Sequence, residues 1–217
     1  MSVITVERKV LEKNDDIARQ NRAAFSERGI FVLNLVSSPG SGKTSILEKT
    51  CEALREKLNI AVIEGDVQTD LDAQRVAAYG VPVVQIVTLG GCHLDAGLVR
   101  DAMQNLDLDQ TNLLFIENVG NLVCPAGYDL GEAMKVAVLS TTEGDDKPLK
   151  YPAMFRNSSV MIINKTDLIP YANCNLNELK DNALKINPFL RIFEISCKTG
   201  AGIPEWCDWL INMKSNI

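Results

Sequence analysis

The sequence predicts an α/β fold in which helices cover both faces of a mostly parallel central sheet. Seven short apolar runs have the length of strands, and they are continuous rather than alternating, as in strands buried on both faces. Helix-like stretches lie between most of these runs, which predicts right-handed crossovers within a single domain. The apolar runs are residues 31–36, 60–63, 83–87, 113–116, 136–139, 160–163 and 192–195.

A charged helical stretch precedes the first strand. Residues 7–28 place Val10, Ile17 and Phe25 where they would form an apolar stripe, and Gly29 is suited to end the helix. We therefore expect an N-terminal helical segment over residues 1–29, packed on a domain that covers residues 30–217. The later helical stretches are residues 42–58, 71–79, 96–105, 176–186 and 204–213.

Composition and charge narrow the classes of function. Lys plus Arg is 22 and Asp plus Glu is 28, so the net charge of −6 argues against a nucleic-acid partner. No run approaches the roughly 20 apolar residues that span a bilayer. The first residues include Glu7, Arg8 and Lys9, unlike a secretory signal. We expect a cytoplasmic protein without a membrane segment, in which the six cysteines are mainly reduced.

A phosphate-binding loop follows the first strand. Residues 37–44 read S-S-P-G-S-G-K-T and match the pattern G-x-x-x-x-G-K-[ST], except that Ser37 replaces the first glycine. Lys43 would reach the β- and γ-phosphates, and the Thr44 hydroxyl would ligate Mg²⁺. The strand before and the helix after favour a P-loop NTPase over a Gly/Ser-rich turn that only caps a helix. The predicted phosphate-site residues are Gly40, Ser41, Gly42, Lys43, Thr44 and Ser45.

Acidic residues after the second and fourth strands are candidates for Mg²⁺ binding and catalysis. Asp66 and Glu117 end apolar runs at the edge of the sheet where ligands bind, and with Thr44 they form the predicted Mg²⁺ site. Asp72 lies on a predicted switch segment, where it would orient the attacking water. Helix capping is the alternative use of such acids. The predicted catalytic residues are Lys43, Asp66, Asp72 and Glu117.

A guanine-binding motif follows the sixth strand. Asn164, Lys165 and Asp167 belong to an N-K-x-D pattern, in which the Asp167 carboxylate would accept from both N1–H and N2–H₂ of guanine. Adenine would leave that carboxylate facing an acceptor, so an ATPase is the weaker hypothesis. An ordinary turn at the strand end is the alternative. A second base element is predicted after the last strand at Ser196, Cys197 and Lys198.

Cys92, His93 and Cys124 are candidate metal ligands, because all three lie on loops at the predicted nucleotide edge of the sheet. Thiolate and imidazole suit Zn²⁺, and they also suit Ni²⁺ or Cu. Their spacing matches no standard zinc finger, so a structural histidine and buried cysteines remain the alternative. Three ligands leave a tetrahedral site incomplete, and a two-fold dimer would complete or duplicate it.

Three further motifs, together with the two nucleotide motifs, resemble HypB, the family of nickel-insertion GTPases of [NiFe]-hydrogenase maturation. They are residues 92–96 (C-H-L-D-A), 117–126 (E-N-V-G-N-L-V-C-P-A) and 140–146 (S-T-T-E-G-D-D), and the resemblance runs from about residue 21 to the C-terminus. It implies a homodimeric, metal-regulated GTPase. It also implies nickel transfer toward a hydrogenase large-subunit precursor, with a partner nickel metallochaperone. The family's metal ligands fall on Cys92, His93 and Cys124.

The resemblance implies GTP or GDP, Mg²⁺ and Ni²⁺ or Zn²⁺ as ligands. The chain departs from the family at Ser37, and it lacks the histidine-rich or Cys-x-x-Cys N-terminal extension of some members, so we expect no nickel-storage role. We predict slow GTP hydrolysis, and coupling between nucleotide and metal because Cys124 follows the 117–121 switch on one segment. The alternatives are a GTPase chaperone for another metalloenzyme such as urease, or a passive metal-binding protein.

Overall fold

The computed structural model describes residues 6–217, with side chains described from Val10 onward, and residues 1–5 of the predicted N-terminal segment lie outside this range. The strands are β1 Phe31–Ser37, β2 Ile60–Asp66, β3 Val83–Val87, β4 Leu113–Glu117, β5 Met134–Ser140, β6 Val160–Asn164 and β7 Arg191–Glu194. They form one sheet in the order β3-β2-β4-β1-β5-β6-β7, and every pairing is parallel. The predicted sheet is therefore confirmed, and it is wholly rather than mostly parallel.

The predicted helices are present, with small differences at their ends. The stretch predicted as 42–58 stops at Leu54 and continues as a turn, whereas 176–186 matches in full. Two short helices that begin close to prolines were not predicted. Within residues 6–217, every helix is too short or too polar to span a bilayer. The helices are α1 Val6–Glu27, α2 Lys43–Leu54, α3 Leu71–Ala77, α4 Ala96–Met103, α5 Lys147–Lys150, α6 Pro152–Arg156, α7 Leu176–Ile186 and α8 Ile203–Ser215.

Side chains of β1 divide between the two faces of the sheet, because successive residues of a strand point to opposite faces. Leu33 and Leu35 belong to the core that contains Trp206 of α8. Val32 belongs to the core that contains Phe25 of α1. Helices therefore cover both faces, as the continuous apolar runs predicted.

Helix α1 is held to the domain by buried amides as well as by apolar contacts. Asn21 Nδ2 donates to the carbonyl oxygens of Ala96 at 2.9 Å and Leu130 at 3.0 Å. Phe25 is buried, whereas Val10 is about half exposed, so the predicted apolar stripe is incomplete toward the start of the helix. The amide contacts hold α1 beside the start of α4 and the loop around Leu130.

Candidate nucleotide and metal sites

The carboxyl ends of the central strands form a polar pocket of about 440 Å³. The register of β2 with β4 sets Glu64 opposite Glu117, and the register of β1 with β4 sets Leu35 opposite the same residue. The phosphate loop, which follows β1, therefore lies beside both carboxylates. Asp72, Arg75 and Lys165 also line this pocket.

The phosphate loop has the backbone that its glycines predict. Gly40 and Gly42 have positive φ angles of 74° and 100°, and α2 begins at the next residue, Lys43. Ser37 belongs to β1 and takes part in its pairing with β5, so a side chain is tolerated at the position where the motif has glycine. Its Oγ accepts a hydrogen bond from Lys43 Nζ at 2.9 Å. Ser37 therefore positions the phosphate-loop lysine.

Three carboxylates converge on this pocket. Oxygens of Glu64, Asp72 and Glu117 lie within 4.8 Å of one another. Burial, and then the charge of Glu117, raises the pKa of Glu64 to about 11, so Glu64 is protonated at pH 7 in this arrangement. Within the described residues, Glu64 Oε2 and Glu117 Oε2 are buried without a hydrogen-bond partner. Oxygen donors of this kind suit Mg²⁺, whose charge would stabilise the ionised form.

Of the predicted Mg²⁺ ligands, Thr44 and Glu117 are in contact, since Thr44 Oγ1 donates to Glu117 Oε1 at 3.0 Å. Asp66 lines the same pocket, but one of its carboxylate oxygens accepts from the amides of Gln68 at 2.9 Å and Thr69 at 2.8 Å. Glu64, which was not predicted, belongs to the carboxylate cluster, whereas Asp66 lines the pocket outside that cluster. The sequence does contain a signal for Glu64, because it is an acidic residue within the otherwise apolar run of β2.

The guanine motif is joined to the phosphate loop. Asn164 Nδ2 donates to Ser41 O at 3.0 Å, and Lys165 Nζ donates to Gly40 O at 2.7 Å. Asp167 Oδ1 accepts from Ser196 Oγ at 2.6 Å, which ties the motif to the second predicted base element. The two base elements and the phosphate loop thus form one connected structure.

A second pocket of about 440 Å³ adjoins the first and shares Gly42, Ser45 and Lys165 with it. Asp167 and Asn164 line it from the guanine motif, as do Cys197 and Lys198 from the loop after β7. Residues of the guanine motif therefore line a pocket that adjoins the one lined by the phosphate loop. The predicted nucleotide residues are therefore brought together around two adjoining pockets.

Cys92, His93 and Cys124 also meet, with ligand atoms within 4.8 Å of one another. Burial lowers the pKa of His93 more than the Asp95 charge raises it, so the imidazole is neutral at pH 7 and able to bind a metal. The ring lies against Tyr128, with 3.9 Å between centroids. Two sulfurs and one imidazole fit Zn²⁺ or Ni²⁺.

Local hydrogen bonds hold the loops that carry these ligands. Asn121 Oδ1 accepts from the amides of Val123 at 2.7 Å and Cys124 at 3.3 Å, and a 3-10 turn begins at Cys124. On the other loop, Thr88 Oγ1 donates to Gly91 O at 2.8 Å, just before Cys92. All six cysteines of the chain lie within the described residues and are free thiols.

Comparisons with known proteins agree with this geometry. Residues 31–194 match the family model described as CobW/HypB/UreG, nucleotide-binding domain. The hydrogenase maturation factor HypB of Azotobacter vinelandii is 53% identical over 208 residues, which cover 96% of this chain and 69% of that protein. The chain belongs to the HypB family. The resemblance that the motifs at 92–96 and 117–126 predicted is confirmed.

Two solved HypB structures have the same fold. The HypB of Archaeoglobus fulgidus superposes with a TM-score of 0.88 and 38% identity, covering 94% of this chain and all of that one. The HypB of Helicobacter pylori, solved in complex with nickel, has a TM-score of 0.90 and 39% identity, covering 94% of this chain and 96% of that one. The P-loop fold of this HypB-family chain is thereby confirmed.

Proposed function

We propose that this chain is a GTPase that carries nickel for the maturation of [NiFe]-hydrogenase, and that GTP hydrolysis is coupled to metal binding. It is a P-loop GTPase by family membership, and it contains the two pockets that a guanine nucleotide needs. The observation that carries the nickel assignment is the meeting of Cys92, His93 and Cys124 on the loops that follow β3 and β4.

The nucleotide pockets assign roles to individual side chains. Asp167 would pair with the guanine edge, and Asn164 and Lys165 would brace the phosphate loop against the base. Lys43, already held by Ser37, would bind the phosphates. These assignments are supported by the contacts between the motifs.

A Mg²⁺ ion would be held by Thr44 and Glu117, with Glu64 as a further ligand and with Asp66 beside them. Asp72 would orient the attacking water from the same side of the pocket. Magnesium would supply charge stabilisation to the phosphates. The side chains would supply its position.

We also propose that the protein acts as a homodimer and binds Zn²⁺ as well as Ni²⁺ at the cysteine–histidine site. Two hydrophobic side chains beside the metal ligands are largely exposed, Leu89 at 87% and Val123 at 64%. Contact with a second copy would bury both side chains and would add ligands to an incomplete site.

The remaining proposals concern partners, place and organisation. A partner nickel metallochaperone and the hydrogenase large-subunit precursor would be the source and destination of the metal. Six free thiols are suited to the reducing cytoplasm, which we propose as the location. The described part of the predicted N-terminal segment, residues 6–29, would act as a helical segment on a GTPase domain of residues 30–217, a division supported by the buried contacts of Asn21.

Titration with Ni²⁺ and Zn²⁺, in parallel GDP and GTP-analogue states, tests the proposal. We expect the metal dissociation constants to differ between the states, and Cys92→Ala to abolish high-affinity binding. Tight binding that ignores the nucleotide would leave a GTPase with a structural metal. GTP turnover that is absent in every metal condition would favour a passive metal-binding protein. Capture of a urease precursor instead of a hydrogenase precursor would favour a GTPase chaperone that serves urease.

A further inference from the structure

A buried amide side chain joins the first metal loop to the nucleotide switch. Asn118, directly after β4, is 1% exposed. Its Oδ1 accepts from the Leu94 amide at 3.0 Å and from the Val119 amide at 3.0 Å. Leu94 follows the ligand His93, and Val119 precedes Gly120. One oxygen atom therefore bonds both a metal loop and the switch.

The switch side of this contact lies against the phosphate loop. A Cβ added at Gly120 would be 3.0 Å from Pro39 Cα and 3.1 Å from Pro39 N. The switch backbone therefore has little freedom to approach Pro39. A shift of the phosphate loop on nucleotide binding would displace Gly120 and, through Val119, the amide of Asn118.

Leu94, which follows the metal ligand His93, also packs against the wall of the nucleotide pocket. A Cβ added at Gly65 would be only 2.7 Å from Leu94 Cδ1. Gly65 lies between Glu64 and Asp66, two carboxylates that line the nucleotide pocket. The Leu94 side chain therefore sits directly on the β2 backbone, while its amide is held by Asn118.

A second chain of buried polar contacts leads from Asn118 to the other metal loop. Asn118 Nδ2 donates to Asn34 Oδ1 at 3.3 Å, and Asn34 Nδ2 donates to Glu132 Oε1 at 3.1 Å. Lys135 Nζ lies 3.8 Å from that carboxylate. The Lys135 ammonium also donates to Pro125 O at 3.0 Å, in the 3-10 turn that begins at Cys124.

We propose that Asn118 is the positioning residue that couples the nucleotide pocket to the metal ligands. The proposal rests on the proposed nucleotide-gated metal binding and names the side chain that transmits it. Nucleotide binding would move Val119, and the shared Asn118 oxygen would pass that movement to Leu94 and so to His93. Hydrogen bonds to buried groups are directional and costly to leave unmade, so both loops must move together.

The decisive measurement is the ratio of metal dissociation constants in the GDP and GTP-analogue states. In the wild-type protein we expect a ratio within the usual range of allosteric coupling, about 5–150-fold. Asn118→Ala should bring the ratio to within about twofold of one. Asn118→Asp keeps both acceptor contacts but loses the donor to Asn34 Oδ1, so it should retain most of the ratio where the Leu94 and Val119 contacts carry the coupling.

Asn187→Ala is the matched control. Asn187 Nδ2 donates to two main-chain carbonyls, of Phe155 and Ser158, and Asn187 belongs neither to the lining of the two nucleotide pockets nor to the cysteine–histidine cluster. This variant should keep the wild-type ratio. An Asn118→Ala protein that binds each ligand and still shows the full ratio would overturn the proposal. A wild-type ratio of one would overturn the proposed function instead, and this inference with it.

Amide hydrogen exchange in the wild-type protein tests the coupling role of Asn118 even if the Asn118→Ala variant fails to fold. Adding the GTP analogue to the metal-free protein should change exchange of the Leu94 amide, and adding Ni²⁺ to the GDP form should change exchange of the Val119 amide. Equal Leu94 exchange in both nucleotide states, in a protein whose metal affinity differs between them, would show that the coupling takes another route.

Discussion

Replacing Gly42 by alanine should destabilise the protein more than replacing Gly40, although both glycines have positive φ angles in the same loop. A Cβ at Gly42 would overlap Asn164 Nδ2, whereas a Cβ at Gly40 meets nothing within 4 Å. Gly40→Ala therefore measures the backbone strain alone. Gly42→Ala adds the displacement of Asn164.

The magnitudes follow from these contacts. A left-handed backbone at a non-glycine residue costs roughly 1–2 kcal/mol, which both variants share. Asn164 is buried and donates to Ser41 O at 3.0 Å, so moving it breaks a buried hydrogen bond, at a further cost of about 1–3 kcal/mol. We expect the free energy of unfolding to fall by about 1–2 kcal/mol in Gly40→Ala and about 2–5 kcal/mol in Gly42→Ala.

Urea denaturation without nucleotide gives these free energies directly and avoids clashes with bound phosphates. The Asn164→Ala background provides the control, because it removes the atom that the new Cβ would meet. There the difference between the two glycine variants should shrink to below about 0.5 kcal/mol. Equal effects of the two substitutions in the wild-type background, or an excess that survives in Asn164→Ala, would refute the steric reasoning.

Three more perturbations test other parts of the structure. Thr50→Val should lower the free energy of unfolding by about 1–3 kcal/mol, and Thr50→Ser by less, because the buried Trp206 Nε1 donates to Thr50 Oγ1 at 3.0 Å. Ni²⁺ affinity, measured by competition titration, should rise about tenfold per pH unit for each proton released. The reason is that the hydrogen bond with Cys124, and then burial, raises the pKa of the Cys92 thiol, which must lose its proton to bind the metal. An Ni²⁺ affinity that does not change with pH would contradict this. Glu64→Gln should change the unfolding free energy by less than about 1 kcal/mol, since Glu64 is already neutral, but should raise the Mg²⁺ needed for GTP hydrolysis about tenfold. Unchanged Mg²⁺ dependence would exclude Glu64 as a ligand.

The sequence was most informative where function depends on contiguous residues. The phosphate loop and the N-K-x-D motif each follow a strand, and parallel strands bring their carboxyl ends to one edge of the sheet. That rule sufficed to predict that Lys43, Asp167 and Cys92 lie on the same side of the molecule. The contact between Asn164 and Ser41 could not be predicted, because it depends on how two loops from different strands meet.

Register explains why Glu64 was missed. The run A-V-I-E-G-D places two acids at the end of β2, and sequence alone does not decide which one lies beside Glu117. In the sheet, Glu64 is aligned with Glu117, whereas the Asp66 carboxylate accepts from the amides of Gln68 and Thr69. The two acids are two residues apart and point to the same face, so what separates them is their position along β2, which depends on the alignment of β2 with β4.

Polar residues at buried positions of the central strands support the proposed coupling between the nucleotide and metal sites. Asn34 interrupts the apolar run of β1, the strand at the centre of the sheet, and Asn118 follows β4 beside it. Apolar residues at these positions would bury as much surface without requiring hydrogen-bond partners. Apolar packing is non-directional, however, and would let the two loops slide independently. The hydrogen bonds from the Leu94 and Val119 amides to the Asn118 oxygen would break if either loop moved alone, so this departure from an apolar core lies at the contact that we propose couples the two sites.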